Sequence, residues 1–203
     1  MKHDYKRGNN MSKKKKKNTT LYGVIGLGRF GREVARQLYK CGCEVLALDV
    51  KSELVQQVAA DVTHAAVADS RDKEVLRMLG VGDFDCAVVA IGEDLAASVL
   101  VTMNLKELGV PYLVCKAHDN VHRRVLEKLG ADRVVIPEQE NAVRLAKGLS
   151  SPNLLDYIEL SEEYGILEVP APRTWIGKTI LELNVRAKLG VNIIAVKNDQ
   201  TTN

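Results

Sequence analysis

The stretch LYGVIGLGRFG (21–31) restricts the fold more than any other part of the chain. An apolar run ends in Gly26, Gly28 and Gly31, a G-x-G-x-x-G, and a helix-compatible segment follows without a gap. Gly26 permits a tight turn, Gly28 lets a pyrophosphate approach the backbone, and Gly31 lets the helix pack closely on the strand. The helix start then offers free N–H groups and a partial positive charge to phosphate.

The same alternation continues to about residue 150. Strands are expected at 21–26, 44–50, 64–69, 84–92, 112–118 and 133–137. Helices are expected at 29–41, 52–60, 72–80, 94–109, 120–130 and near 138–149. Six such units predict an α/β fold, a Rossmann-like doubly wound parallel sheet with strand order 3-2-1-4-5-6. Two Phe and one Trp leave the core to Val, Leu, Ile and Ala, as in sheets buried on both faces. Ser52 reads as the N-cap of the second helix, and Gly80 as the close of the third. Ser150-Ser151-Pro152-Asn153 marks a domain boundary. Beyond it, residues 157–172 read as strand, turn and strand with Gly165 in the turn. Residues 174–190 contain a short helix, and VNIIAVKN (191–198) is a further strand. The expected domains are therefore a basic, disordered leader (1–20), a nucleotide-binding domain (21–150) and a small α+β domain (151–203).

The ligand side chains follow from the strand ends. Asp49 closes the second strand, 18 residues after Gly31, where a carboxylate accepts from ribose hydroxyls and repels a 2′-phosphate. NAD or an unmodified adenosine nucleotide fits better than NADP; the nearby Lys51 either softens that preference or, the favoured reading, is simply solvated. Asp69 and Ser70 close the third strand. Asp69 either accepts from an adenine amino group or caps the next helix. Arg29, inside the phosphate turn, adds a cation able to grip oxygens in pairs, which suits ADP or ATP; a solvated arginine is the other reading.

Bulk properties narrow the function. Net charge is +3, but residues 1–20 hold seven Lys, one Arg and one Asp, a balance of +7 that leaves −4 on the other 183 residues. The body is mildly acidic, which argues against a general nucleic-acid surface. Cys41, Cys43, Cys86 and Cys115 fit a reduced cytoplasmic thiol set, and the lone C-x-C does not complete a zinc site. No apolar run approaches the ~20 residues of a membrane span. Tyr112 and Lys116 form a Y-x-x-x-K, but on a strand they stand about 13 Å apart at ~3.3 Å per residue, too far to cooperate. His118 and His122 share a helical face only if the helix begins before Asp119 and Asn120, which read as its cap. No nucleophile–base pair stands out, so the chain reads as a binding protein and not an enzyme.

The stretches VIGLGRFG (24–31), EVLALD (44–49), THAAVAD (63–69), VVAIG (88–92), VCKAH (114–118), VLEKLGADRVVIPE (125–138) and LNVRAKLGVNIIAVK (183–197) together resemble the RCK (KTN) family, cytosolic regulators of Ktr/Trk-type potassium uptake. The resemblance implies an N-terminal Rossmann-like domain, a C-terminal RCK_C domain, and homodimers assembled into an octameric ring. That ring would dock on a membrane potassium channel subunit at the inner face of the plasma membrane and gate it by the nucleotide bound. It implies nucleotide contacts from the glycine loop with Arg29 and Phe30, from Asp49, Val50 and Lys51, from Asp69 and Ser70, and from Ile91, Gly92 and Lys116. Arg29 would reach the distal phosphates and separate ATP from ADP. Glu138 matches a carboxylate associated with Mg²⁺ or another divalent cation near the phosphates; a helix N-terminal carboxylate is the alternative. The sixth strand lies three places from the first, about 14 Å at ~4.8 Å spacing, so Glu138 is expected to serve a neighbouring subunit's nucleotide. RCK_C domains usually continue past VNIIAVKN, so the domain reads as cut short, which puts cyclic di-AMP, a ligand of paired RCK_C domains, in doubt. The alternatives are an NAD(H) redox sensor and an NAD-dependent oxidoreductase.

Overall fold

The computed structural model describes residues 20–150, 156–159 and 164–197. The lysine-rich leader and the closing NDQTTN lie outside the described residues, apart from Thr20. The chain divides into two compact units, 1–140 and 141–203.

The first unit is one parallel sheet with helices between its strands. In chain order these are β1 (Leu21–Ile25), α1 (Arg29–Lys40), β2 (Glu44–Asp49), α2 (Ser52–Gln56), β3 (His64–Val67), α3 (Lys73–Met78) and β4 (Cys86–Val89). Then come α4 (Leu95–Glu107), β5 (Leu113–Lys116), α5 (Asn120–Lys128), β6 (Arg133–Val135) and α6 (Pro137–Ser150), the last belonging to the second unit from residue 141 on. The observed order β3-β2-β1-β4-β5-β6 is the one the sequence predicts. Its direction reverses between β1 and β4, and the carboxyl ends of strands beside such a reversal form a crevice for ligands.

Alternation along the strands sorts residues onto two faces. Ile25, Leu48, Ala87 and Val89 join one cluster with Leu76, Val101, Leu105 and Leu126 from α3, α4 and α5. Val24, Val45, Ala47 and Val88 join the other with Ala35 and Val55 from α1 and α2. Each fully buried leucine or valine contributes about 1.5–3 kcal/mol of transfer free energy. A rigid sheet follows, and its carboxyl edge is the platform for the site.

Some helix ends follow the local sequence signals and others do not. Asp94 and Asp119 cap α4 and α5, their carboxylates accepting from Ala97 N–H and from Val121 and His122 N–H. Gly80 takes a left-handed φ of 71° just after α3, as a closing glycine should. Ser52, however, is the first helical residue of α2, and its N-cap is Lys51 with no side-chain bond. The cap of α3 is Asp72, which accepts from Glu74 and Val75 N–H, so Asp69 is free of that duty.

The second unit holds a hairpin of β7 (Asp156–Glu159) and β8 (Gly165–Glu168), followed by α7 (Ile180–Leu183) and α8 (Val185–Leu189). Gly165 is not in the turn but opens β8, paired with Glu159. The helical stretch is two short helices, because Asn184 sits between them at φ 46°, a left-handed value that ends α7. VNIIAVKN does not form the expected strand over its described residues: only Lys197 makes a bridge. Apolar β-branched content alone does not make a strand without a partner edge.

Candidate functional site

The glycine loop is built as the motif requires. Gly26 has φ 91°, donates its N–H to Leu48 O at 2.8 Å, and leaves no room for a side chain beside the Ala90 backbone. A Cβ on Gly31 would lie 1.9 Å from Gly26 O, so only glycine lets α1 start against the loop. At Gly28 a Cβ would meet nothing within 4 Å, which leaves open space in front of the turn. Gly28 is also the N-cap of α1 and supplies no side-chain cap, and no acidic residue occupies the first turn. The positive end of a 12-residue helix therefore faces that space uncompensated by its own chain.

Asp49 fixes the loop from the next strand. One carboxylate oxygen accepts Leu27 N–H at 2.6 Å and the other accepts Lys51 N–H at 2.9 Å. It is thus a positioning group at the sheet edge with lone pairs remaining for a hydroxyl. Val50 and Lys51 follow it and are exposed.

Across the reversal, Ile91 Cγ1 lies 3.1 Å from where a Gly26 Cβ would stand. Lys116 Cε and Nζ lie 3.4 Å from the corresponding point on Gly92. The Lys116 ammonium sits 5.8 Å from the centroid of the Phe30 ring, within cation–π range, and pairs with Glu138 Oε1 at 2.7 Å. Its side chain is only 16% exposed. The hydrogen bond from Lys116 holds the Glu138 carboxyl below its usual range, and the positive charge of Arg29 acts in the same direction. Arg29 itself is exposed at the first position of α1.

Glu138 is therefore tied to its own chain's phosphate turn, contrary to the expectation that strand spacing kept them apart. That expectation measured backbones and missed the span of the Lys116 side chain. The carboxylate is bound to an ammonium, and among the described residues no three His, Cys, Asp or Glu side chains gather to hold a metal. The residues of one chain do not fit a divalent-cation site at Glu138.

The outer edge differs from the sequence reading. Both Asp69 oxygens hold the guanidinium of Arg71, and Oδ1 also accepts Arg71 N–H at 3.0 Å. These bonds lower the Asp69 pKa and engage the carboxylate that an adenine amino group would need. Ser70 is buried. Arg71 went unnoticed in the sequence; its one signal is the D-x-R spacing, and that pattern is common on surfaces. The H-x-x-x-H is not a metal pair, because His122 Nδ1 accepts His118 N–H at 3.2 Å.

The site thus brings together the glycine loop, Phe30, Asp49, Ile91, Gly92, Lys116 and Glu138 around an open, positively biased crevice. Residues 22–137 match the TrkA-N domain family. The chain belongs to the TrkA-N (RCK) family. It is 46% identical over 176 residues to the Ktr system potassium uptake protein C of Bacillus subtilis, covering 87% of this chain and 80% of that protein. To protein A of the same system and organism it is 45% identical over 177 residues, with the same coverage. The fold of this TrkA-N chain also resembles the GsuK channel bound to NAD, with a TM-score of 0.64 at 17% identity over 92% of this chain and 34% of that one. The TrkA-N domain of the Escherichia coli inner membrane protein YbaL gives a TM-score of 0.58 at 14% identity, covering 64% of this chain and 96% of that one. No helix among the described residues of this TrkA-N protein is long and apolar enough to cross a membrane.

Proposed function

We propose that this chain is a nucleotide-sensing regulatory subunit of a potassium uptake system. In this reading it is cytoplasmic, works at the inner face of the plasma membrane, and controls a membrane potassium channel subunit. The observation that carries the proposal is the likeness to two Ktr potassium uptake proteins over most of both chains, together with a phosphate turn left open at Gly28.

The ligand is an adenosine nucleotide, ADP or ATP, with NAD(H) as the competitor on the same fold. Its phosphates meet the N-terminus of α1, its ribose meets Asp49, and Arg29 takes the distal phosphate. Lys116 adds a second cation that is already held in place by Phe30 and Glu138. A cation at Glu138 would need phosphate oxygens and a neighbouring subunit, so no step depends on one. The subunits form homodimers and then an octameric ring. A nucleotide shifts such a ring only by binding one arrangement better than another, and the extra phosphate of ATP gripped by Arg29 supplies that difference. No chemical step is needed, and none is proposed.

Calorimetric titration with ATP, ADP, NAD⁺, NADH and cyclic di-AMP, with and without Mg²⁺, tests the reading. ATP and ADP are expected to bind, with Arg29→Ala weakening ATP selectively. Binding of NAD(H) alone, unchanged by Arg29→Ala, would replace it with a redox sensor.

A further inference from the structure

One buried titratable group has no part in the site as described. His122, in the first turn of α5, is 2% exposed. Its Nδ1 accepts the main-chain N–H of His118 at 3.2 Å, and its Nε2 lies 3.1 Å from Ser98 Oγ on α4. A neutral imidazole carries one N–H, so an Nδ1 that accepts places the proton on Nε2, where it is donated to Ser98. Ser98 is held in turn. Its carbonyl accepts Thr102 Oγ1 at 2.8 Å, and that hydroxyl lies 3.5 Å from Cys115 Sγ on β5. The polar chain runs from the entry of α5 to the strand that ends in Lys116.

The turn between them is short. Lys116 pairs with Val135 in the sheet, Ala117 N–H is donated to Val135 O at 2.8 Å, and His118 N–H goes to the imidazole. Asp119 then caps α5. One residue, Ala117, separates the lysine of the site from the main-chain amide that His122 holds.

We propose that His122 is a proton-sensitive latch, a positioning residue that keeps the 117–119 turn in place and thereby sets Lys116 against the nucleotide phosphates. The proposal rests on the nucleotide reading above. Protonation places an N–H on Nδ1 facing the His118 N–H, two donors with no acceptor between them. The turn opens, Lys116 loses its seat, and nucleotide affinity falls. The charges around the ring leave this balance to the latch. Burial holds the His122 pKa below its usual value; Asp119 works against it by favouring the proton, and His118 works with it by opposing the proton. α4 faces the ring with neutral Ser98. β6, packed on α5, carries Val134, Val135 and, at its exposed start, Arg133. From α6, Glu140 faces Arg123, at 4.0 Å.

The test compares ADP binding by the full chain and by His122→Asn between about pH 7.5 and about pH 5.5. The asparagine oxygen stands where Nδ1 was, so it still accepts from His118, but it does not titrate. ADP's own phosphate titration is common to both proteins. The wild-type protein should lose about threefold to tenfold more affinity than His122→Asn, the range given by one group whose pKa differs by up to one unit between free and bound states. Nitrogen NMR of the ring should show Nε2–H at neutral pH and faster His118 amide exchange as His122 protonates. Equal pH slopes in the two proteins, or a proton on Nδ1 at neutral pH, would overturn the latch. If His122→Asn does not fold, the wild-type affinity for NAD⁺, whose phosphates do not titrate in this range, gives the slope. Absence of any nucleotide binding at pH 7.5 would sink the nucleotide reading instead; the ring-nitrogen spectrum and the His118 exchange would still decide the latch.

Discussion

The two units of this chain spend their apolar residues in opposite ways. In the first, Val24, Leu27, Leu48, Leu76, Leu105, Leu113 and Leu126 are completely buried, and the two faces of one sheet account for them. In the second, Val185 is the one buried apolar side chain among the described residues, while Leu181 stands 89% exposed and Ile176 and Ile194 about as open. Composition does not separate the units, since both are rich in Leu, Ile and Val. Topology separates them: a six-stranded sheet offers two faces to cover, whereas a two-stranded hairpin with two short helices offers almost none. The edge that carries the candidate site therefore rests on a scaffold with its own core, whereas the second unit leaves most of its described apolar side chains open.

The largest effect that tests this contrast is core truncation. Leu105→Ala, in the cluster under β4 and β5, should cost about 2–5 kcal/mol in urea denaturation followed by circular dichroism. Val185→Ala removes less apolar surface and should cost about 1–2 kcal/mol. Equal costs would erase the distinction between the units. Next in size are the loop glycines. Gly31→Ala forces a methyl onto the Gly26 carbonyl and should destabilise the first unit by about 1–3 kcal/mol. Gly28→Ala places its methyl in open space, so stability should change by no more than about 0.5 kcal/mol while ADP binding weakens sharply. A Gly28→Ala protein that binds ADP normally would put the phosphate elsewhere.

An acid scan sharpens the comparison further. Asp132 accepts from Lys106 Nζ and from Leu113 N–H, bonds that hold its carboxyl below the ordinary aspartate value of 3.8. The folded state thus binds its proton less readily than the unfolded chain. The stability it supplies is complete above 3.8 and disappears as pH falls through the lower folded value. Asp132→Asn should flatten the acid limb of the melting temperature between about pH 5 and about pH 3 relative to wild type. An unchanged limb would remove Asp132 from the account.

Most of the first unit was legible in the sequence because its signals are local. A glycine loop after a strand, period-two alternation, and Asp at a helix start each act within a few residues, and the strand-then-helix alternation recurs six times over. The strand order came with the loop, since the phosphate turn lies at the reversal. The parts that were missed depend on which partner a side chain takes in the folded chain. Lys116 joining Phe30 to Glu138 spans β5, α1 and α6, and no spacing in the sequence encodes it. Arg71 occupying Asp69 and Nδ1 of His122 accepting a main-chain N–H are likewise choices among partners, settled by packing. In the second unit the failure was different. VNIIAVKN has the composition of a strand, yet over its described residues only Lys197 makes a bridge, because strand composition without ladder pairing is not a strand.

The smallest expected effect on stability carries the comparison to its limit. Leu181 lies on α7 between a capping box, in which Thr179 and Glu182 exchange hydrogen bonds, and the left-handed Asn184. Those local bonds hold the short helix whatever residue stands at 181. Leu181→Ser removes a side chain that is 89% exposed, so the folding free energy should move by no more than about 0.5 kcal/mol. Hydrogen exchange within residues 20–140 should likewise be unchanged. Sedimentation velocity is where the variant should differ. An apolar face left this open is covered in solution if a second copy packs on it, and a serine in its middle should shift the protein toward smaller assemblies. A sedimentation profile identical to wild type would mean that this face is not part of the contact between copies. The exposed apolar residues of the second unit would then have to be assigned to a different partner, such as the membrane subunit.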